Sequence, residues 1–203
     1  MIRLKNIYKT YDNKEIISGL NLEIEKNKTT VIMGISGSGK TTLANILLGL
    51  REVDSGEIEG LENLEISAVF QEDRLSEQLS AISNVKLALK KDIKDNEIVK
   101  QFQEVDMDYN ILNKPVSSLS GGQRRRVAVV RAIMTEADFY CLDEPFKGLD
   151  HETKIKTMRY VADNIKDKTS LIITHSVEVA RFFDAKCINL NDGDCSELLQ
   201  AMS

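Results

Sequence analysis

The sequence predicts an α/β fold with a mostly parallel sheet. Short apolar or β-branched runs recur along the chain, and helical patterns separate several of them, as is typical of parallel strands buried on both faces. These runs are TTVIM (29–33), EISAVF (65–70), DFYCL (138–142), TSLIIT (169–174) and KCINL (186–190), the last one before a turn at Asn191–Asp192–Gly193. Apolar residues alternate earlier, in 21–25, which predicts an N-terminal antiparallel sheet with one wet face.

The middle of the chain differs from both ends. From about Asp73 to Ser118 it has helical spacing, many charges and no convincing strand. We therefore interpret residues 1–203 as one domain, in which 1–72 and 133–203 form the α/β core with its antiparallel sheet. Residues 73–132 then form an inserted helical subdomain.

Composition excludes some classes of function. The 27 basic and 32 acidic residues give a net charge of −5, which argues against a dedicated nucleic-acid binder. The three cysteines lack the spacing of a metal or redox site, so we expect reduced thiols, with Cys141 in the core. No window reaches the roughly 18–20 apolar residues of a membrane span. We expect a soluble, cytosolic chain that can still dock on a membrane protein.

A glycine-rich loop carries the first chemical signal. GISGSGKTT (34–42) stands between the strand TTVIM and the helical run LANILLGL, and it fits the phosphate-binding pattern GxxxxGK[ST]. Glycines let the main chain wrap closely around phosphate oxygens with its N–H groups pointing inward. Lys40 is then expected to reach the β- and γ-phosphates, and Thr41 to bind Mg²⁺. A plain glycine-rich turn is the alternative, and the strand–loop–helix context argues against it.

Two adjacent carboxylates end the strand in FYCLDEP (139–145). Neighbouring residues in a strand point to opposite sides, so Asp143 and Glu144 are expected to do different work. We assign Asp143 to the metal and Glu144 to the water that attacks the γ-phosphate. Two solvated acids at a strand end are the alternative.

Three consecutive arginines follow two glycines in LSGGQRRRVAVVRA (119–132). If a helix begins near Ser120, its residues turn by about 100° each, so Arg124–Arg126 fan over about 200° and form no single basic face. We expect these arginines to be solvated, paired or stacked. Ser120 is a natural N-cap, and Gly121–Gly122 leave backbone N–H groups free to face an anion. The predicted buried stripe of this helix is Val127, Val130 and Met134.

LSGGQ (119–123) and the glycine-rich loop together resemble the nucleotide-binding subunits of ATP-binding cassette (ABC) transporters, over essentially the whole chain. The resemblance implies a P-loop NTPase core with an N-terminal antiparallel β-subdomain and a helical subdomain between the Q-loop and the signature. ATP and Mg²⁺ are the implied ligands. The implied ATP contacts are Tyr11, Gly34, Ile35, Ser36, Gly37, Ser38, Gly39, Lys40, Thr41 and Thr42.

The same resemblance implies the remaining site residues. It implies that Glu144, His175 and Gln71 are catalytic residues and that Thr41, Gln71 and Asp143 bind Mg²⁺. Asp150 in KGLD would couple two active sites. The signature residues, which would act on ATP held by a partner subunit, are Leu119, Ser120, Gly121, Gly122 and Gln123.

Several of these residues have ordinary alternatives. Tyr8 is the alternative to Tyr11 as the residue that stacks on the adenine. Either tyrosine can also be an ordinary aromatic residue of the core or of an edge strand. Any strand-end glutamine resembles Gln71, and a lone histidine such as His175 is usually unremarkable. Ser176 stands where relatives often have aspartate and is expected to cap the next helix. Lys147 departs from the small residue that is commoner at its position.

Partners are implied by the resemblance alone. It implies a head-to-tail homodimer on ATP binding, or a heterodimer with a similar cassette, and integral-membrane permease subunits as partners. It also implies that this chain is a cytoplasmic protein bound peripherally to the cytoplasmic face of the cell membrane. A solute-binding protein is a further possible partner. VFQEDRL (69–75) is similar to importers of the nitrate, sulfonate, taurine and thiamine-precursor group. The rival classes are exporters, lipoprotein-release systems and cell-division complexes.

More distant rivals fit less well. DNA-repair ABC ATPases place a long coiled coil where only the stretch from Lys40 to Leu119 is available, and translation-associated ABC proteins carry two cassettes. A small-molecule kinase would lack LSGGQ.

Overall fold

The computed structural model describes residues 1–190, so the expected turn at 191–193 and Cys195 lie outside the described residues. It contains two sheets. The antiparallel sheet has the order β2 (Lys14–Ile24), β1 (Ile2–Tyr11), β4 (Ser55–Glu59). The parallel sheet has the order β5 (Ile66–Val69), β6 (Phe139–Asp143), β7 (Thr169–Ile173), β3 (Thr29–Met33), β8 (Lys186–Asn189). The predicted α/β class, with its N-terminal antiparallel sheet, is confirmed.

Helices connect the parallel strands and fill the middle of the chain. They are α1 (Lys40–Leu47), α2 (Ala81–Lys86), α3 (Asp95–Glu104), α4 (Tyr109–Leu112), α5 (Gly121–Met134), α6 (His151–Ile165) and α7 (Val177–Phe182), with a short 3₁₀ turn at Val116–Ser118. The boundary expected between 132 and 133 falls inside α5. Within residues 1–190, no helix combines the length and the apolar character that crossing a membrane requires.

Apolar side chains pack on both faces of the parallel sheet, which explains why its strands read as continuous apolar runs. Along β6, Tyr140 and Leu142 join the core against the helices of the middle and C-terminal part. Phe139 and Cys141 point the other way, into the core shared with α1 and the antiparallel sheet. Cys141 is therefore a core residue, as the sequence predicts, and burial raises the pKa of its thiol.

α5 is buried more completely than the predicted stripe. Residues 125–130 are all buried, including two arginines, while Met134 is only partly buried. The prediction of a narrow apolar stripe is therefore wrong in extent. The helix is surrounded because it packs against α2, α3, α6 and β5 at once.

The strand order determines where functional loops meet. Since β3, β5, β6 and β7 run parallel, their carboxyl ends lie along one edge of the sheet. The glycine-rich loop follows β3, Glu144 follows β6, and Thr174 and His175 follow β7. Gln71 comes two residues after β5. The topology thus gathers four separate stretches of sequence at one site.

Candidate functional site

The glycine-rich loop has two glycines in a left-handed backbone conformation. Gly37 has φ of 83° and Gly39 has φ of 90°, which is the left-handed region that glycine accepts without strain. Gly39 is also the N-cap of α1, and a Cβ on it would lie 3.0 Å from the carbonyl oxygen of Ile16. The loop therefore takes a shape that side chains at these positions would disturb.

The loop also carries two polar side chains, those of Lys40 and Ser38. The Lys40 ammonium donates to the carbonyl oxygens of Gly34 and Ile35, both at 2.7 Å. Ser38 Oγ is buried and has no hydrogen-bond partner among the described residues. A buried hydroxyl without a partner is costly unless a ligand supplies one. A phosphate oxygen at the N-terminus of α1 fits this need, because helix N-termini attract anions.

Three oxygen groups converge beside the loop. Thr41 Oγ1 lies 3.0 Å from Gln71 Oε1 and 3.0 Å from Asp143 Oδ2. These side chains come from α1, from the loop after β5 and from the end of β6. An all-oxygen set with one carboxylate is the kind that holds Mg²⁺ together with substrate phosphates.

Asp143 is buried, with 3% of its surface exposed. Burial raises the pKa of Asp143, and the hydrogen bond from Thr41 opposes the rise. Arg125 and Lys40 also lower it through their positive charges. The carboxylate thus lies where a bound cation would remove the cost of its charge.

Glu144 takes an unusual backbone conformation. Its φ is 50°, in the left-handed region that a residue with a long side chain rarely adopts. The carboxylate is held by the end of β7: Oε1 accepts from the His175 backbone N–H at 3.0 Å and lies 2.6 Å from His175 Nδ1. Thr174 Oγ1 donates to Oε2 at 3.3 Å. Asp143 and Glu144 therefore face different partners, as expected, but the left-handed φ of Glu144, which follows β6, sets its direction and strand alternation does not.

One cavity of about 550 Å³ collects most of these groups. Besides the site residues predicted from the sequence, Lys147 also lines it, and its ammonium makes no hydrogen bond or ion pair within the described part of the chain. The predicted residues that line this cavity are Gly34, Ile35, Ser36, Gly37, Gly39, Lys40, Thr41, Thr42, Gln71, Asp143, Glu144 and His175.

The signature residues lie outside that cavity. Ser120 caps α5 through a capping box, because its Oγ accepts from Gln123 N–H at 3.2 Å and Gln123 Oε1 accepts from Ser120 N–H at 2.9 Å. Leu119 is buried beneath them. A Cβ added at Gly121 would meet no atom within 4 Å, and one at Gly122 would lie 3.3 Å from the Gly148 carbonyl oxygen. The helix tip is therefore open at Gly121.

The three consecutive arginines of α5 each bind a different part of the chain. Arg124 donates to the Leu119 carbonyl at 2.8 Å, and Arg126 donates to those of Val105 and Asp106. Arg125 donates to the carbonyl oxygens of Phe70 and Gln71, both at 2.6 Å. The absence of one basic face is as expected. Of the expected alternatives, pairing holds for Arg125 and Arg126, which are buried and donate to backbone carbonyl oxygens.

The remaining predicted residues lie apart from the cavity. Tyr11 and the alternative Tyr8 are both exposed. The Lys9 ammonium lies 5.5 Å from the Tyr11 ring centre, and the Tyr8 hydroxyl lies close over Gly19. Asp150 caps α6, accepting from Thr153 N–H at 3.0 Å and from Thr153 Oγ1 at 2.6 Å.

Ser176 does not cap α7 with its side chain. Its hydroxyl instead accepts a hydrogen bond from Lys154 at 3.3 Å. Ser176 is therefore the N-cap residue of α7, as expected, but its side chain makes no capping hydrogen bond.

Sequence reasoning missed two contacts of the site. The Thr174 hydroxyl against Glu144 could have been inferred from its place at the end of β7, beside His175. The Arg125 contact with the segment 70–74, which we call the Gln71 segment, leaves no local signal in the sequence, because it joins positions more than 50 residues apart.

Comparison with known proteins gives a consistent result. Residues 17–147 match the family described as "ABC transporter". The aliphatic sulfonates import ATP-binding protein SsuB 2 of Pseudomonas syringae pv. syringae (strain B728a) is 37% identical over 194 residues, which are 95% of this chain and 70% of that protein. The spermidine/putrescine import ATP-binding protein PotA of Spiroplasma citri is 32% identical, over 95% of this chain and 59% of that protein.

Solved structures agree with the sequence relatives. The dimeric structure of MJ0796, a bacterial ABC transporter cassette, has a TM-score of 0.83 and 29% identity, and covers 93% of this chain and 94% of that one. A post-hydrolysis dimer of the same cassette bound to ADP and Pi has a TM-score of 0.82 and 28% identity, over 96% of each chain. Since the family match spans more than half of the sequence and the phosphate-binding loop has the expected geometry, this chain belongs to the ABC transporter family and is an ATP-binding subunit that hydrolyses ATP.

Proposed function

We propose that this chain hydrolyses Mg-ATP at the interface of two cassettes and thereby drives transport through a membrane permease. The observation that carries the proposal is the convergence of Thr41, Gln71 and Asp143 on one side of the P-loop cavity, with Glu144 held beside them. Phosphates bind the loop N–H groups, Lys40 and Ser38, and Tyr11 stacks on the adenine. Base–aromatic stacking generally contributes about 1–3 kcal/mol.

Mg²⁺ is proposed at the oxygen cluster. Thr41, Gln71 and Asp143 would hold it together with phosphate oxygens, and the ion would neutralise charge on the triphosphate. Among residues 1–190, no cluster of three or more acidic, histidine or cysteine side chains could hold a metal ion by itself. This fits a metal that arrives with its nucleotide and needs a single protein carboxylate.

Glu144 is proposed to orient and polarise the attacking water. The His175 N–H, the His175 ring and the Thr174 hydroxyl hold its carboxylate in one orientation at the end of the sheet. A carboxylate fixed beside the γ-phosphate can accept a hydrogen bond from the water and align its lone pair. His175 then has two tasks, to hold Glu144 and to contact the γ-phosphate.

The signature tip is proposed to close over ATP held by a second cassette. Ser120, Gly121 and Gly122 lie outside the chain's own cavity, so they need a partner to contact a triphosphate. The relative MJ0796 is described as a dimer. A head-to-tail pair of identical chains, or a pair with a similar cassette, supplies each nucleotide with a P-loop from one subunit and a helix tip from the other. Asp150, which also caps α6, would then lie near the second site.

Glu144→Gln tests this arrangement. The variant keeps the P-loop and the oxygen cluster but loses the carboxylate that activates water, so it should bind ATP and fail to cleave it. Light scattering with saturating Mg-ATP should give the mass of a dimer, and ADP should give a monomer. The matched control is Glu62→Gln, which removes an exposed carboxylate outside the cavity and should still hydrolyse ATP. A Glu144→Gln protein that stays monomeric with Mg-ATP contradicts the proposal.

We further propose that the transport system is a small-molecule importer. The relatives SsuB 2 and PotA are both named import ATP-binding proteins. The chain would work on the cytoplasmic face of the membrane with permease subunits, and with a solute-binding protein where the system has one. A groove of about 520 Å³ next to the Gln71 segment, lined in part by Leu50, Leu87 and Arg74, is the proposed permease contact. The Arg74 guanidinium stacks on Phe70 there, at 3.8 Å from the ring centre.

Membrane capture tests the choice of system. The tagged chain should retain a permease that is encoded next to the gene for this chain. A gene for a solute-binding protein should lie in the same cluster. Leu87→Glu, which places a charge in the groove, should lose this retention while ATP binding is kept. Capture of a permease with a large extracytoplasmic domain would instead identify an exporter, lipoprotein-release or cell-division complex. The ATP-site proposal is independent of that outcome.

A further inference from the structure

A buried arginine of the signature helix holds the backbone of the segment that carries Gln71. Arg125 is 5% exposed, and its guanidinium donates one hydrogen bond to the Phe70 carbonyl and one to the Gln71 carbonyl, both at 2.6 Å. A planar fork that spans two neighbouring carbonyls fixes both distance and orientation. Asp73, on the same segment, balances the charge at 3.3 Å from Nη1.

A second arginine extends the attachment. Arg131, also on α5, donates to the carbonyl oxygens of Asp73 at 3.0 Å and Arg74 at 2.7 Å. Four of the five carbonyls of the Gln71 segment thus accept hydrogen bonds from two arginines of one helix. The segment follows β5, which is an edge strand of the parallel sheet, so α5 provides the bonds that a neighbouring strand would otherwise supply.

Gln71 is consequently held at both ends. Its main chain is bound to α5 through Arg125, and its side chain lies 3.0 Å from Thr41 Oγ1 on α1. Arg125 is four residues beyond Gly121, which is about 6 Å along a helix. A movement of the signature tip therefore reaches Gln71 through a single side chain.

We propose that Arg125 is a positioning residue that couples the place of the signature helix to the place of Gln71 in the magnesium site. Gln71 completes the metal and water environment only when α5 is seated, so binding of the signature tip to a partner's nucleotide is transmitted to the chain's own cation. The proposal rests on the proposed role of Gln71.

The matched control is Arg126 on the same helix. It is also buried, and it donates to the backbone carbonyls of Val105 and Asp106 and, at 3.4 Å, to that of Gly122 on its own helix, none of them in the Gln71 segment. Arg126→Met therefore removes a buried charge and three hydrogen bonds without touching Gln71. Thermal unfolding of both methionine variants shows how much stability each arginine contributes.

The test measures Mg-ATP hydrolysis by the full chain in Arg125→Met, Arg125→Lys, Gln71→Ala and the double variant Arg125→Met/Gln71→Ala. Residues that hold a metal ligand in place typically affect metal affinity or activity by about 10- to 100-fold. Arg125→Met and Arg125→Lys should both lower kcat by about 10-fold or more and raise the Mg²⁺ concentration needed for half-maximal hydrolysis. Lysine keeps the charge but not the fork. Arg126→Met should leave the Mg²⁺ requirement as it is.

The double variant decides between coupling and independence. If Arg125 acts through Gln71, Arg125→Met lowers the rate of Gln71→Ala by less than about 2-fold, since acting on one shared step makes effects non-additive. Multiplied effects, or wild-type kinetics in Arg125→Lys, overturn the role of Arg125 while that of Gln71 stands. An undiminished rate in Gln71→Ala overturns the proposed role of Gln71, and that of Arg125 with it. If Arg125→Met fails to fold, Arg125→Lys with Gln71→Ala completes the same cycle.

Discussion

Gly121→Ala should stabilise the isolated chain while it disables the dimer. Gly121 is the first residue of α5, it has no left-handed φ, and an added Cβ would meet no atom within 4 Å. Alanine at a compatible glycine position typically gains about 0.4–1 kcal/mol. For a domain of this size, 1 kcal/mol corresponds to about 2–4 °C in the melting temperature. The nucleotide-free variant should therefore melt up to about 4 °C higher than the wild type.

In the proposed dimer, the same methyl group would lie where the partner's triphosphate has to approach. If it displaces one charge-assisted hydrogen bond, the loss is about 1.5–3 kcal/mol at each site. A symmetric dimer contains two such sites, so the dimer dissociation constant should rise by about 100-fold or more. The expected result is unusual, because the melting temperature of the isolated chain rises while the affinity of the dimer falls.

The measurement uses the Glu144→Gln background, in which ATP is retained. Light scattering across a concentration series gives the dimer dissociation constant with and without Gly121→Ala, and calorimetry gives the two melting temperatures without nucleotide. Gly122 is a poorer choice because its added Cβ would lie 3.3 Å from the Gly148 carbonyl oxygen and would confuse the stability result. Equal dissociation constants would show that Gly121 does not face a nucleotide, and a lower melting temperature would refute the steric reasoning.

Two further predictions concern charges in the cavity. Lys147→Glu reverses an exposed charge that lines the nucleotide cavity, so the dissociation constant of a fluorescent ATP analogue should rise by about 10-fold at low salt. The exposed control Lys166→Glu should change it little. Equal affinities of Lys147→Glu and the wild type would place the Lys147 ammonium away from the phosphates. Asp143→Asn should abolish hydrolysis yet raise the melting temperature of the nucleotide-free chain in EDTA at neutral pH, because burial raises the pKa of Asp143 and its charged form therefore costs stability above that pKa. This gain should shrink as the pH falls through the pKa of Asp143, and a gain that is the same at acid pH would contradict the sign of the shift.

Much of the fold could be predicted because local pattern and burial agree. TTVIM, DFYCL and TSLIIT are apolar on both faces, and they form strands buried on both faces within one residue of the expected bounds. The burial of α5 was underestimated for a related reason. Helical periodicity treats arginine as a solvent-facing residue, whereas Arg125 and Arg126 lie inside because carbonyls of distant segments need donors.

The site was predictable where function imposes a local shape. The P-loop and the Asp143–Glu144 pair are contiguous in sequence, so their residue types and spacing identify them. Lys147, Thr174 and Arg125 were not assigned to it, because their relation to the site depends on how separate strands and helices pack. Sequence also says nothing about which hydroxyl or carbonyl is already in use. Ser176 has the residue type of a helix cap, but its hydroxyl accepts a hydrogen bond from Lys154.

The left-handed backbone of Glu144 opposes stability to activity at one position. A non-glycine residue at φ of 50° carries local strain, of order 1–3 kcal/mol for such positions in general. Glycine or asparagine at this position would relieve it, so a screen for heat-tolerant variants should repeatedly recover both. Each variant recovered in this way would be more stable to heat but would no longer hydrolyse ATP. Anyone engineering this cassette for robustness should hold residue 144 fixed and seek gains elsewhere.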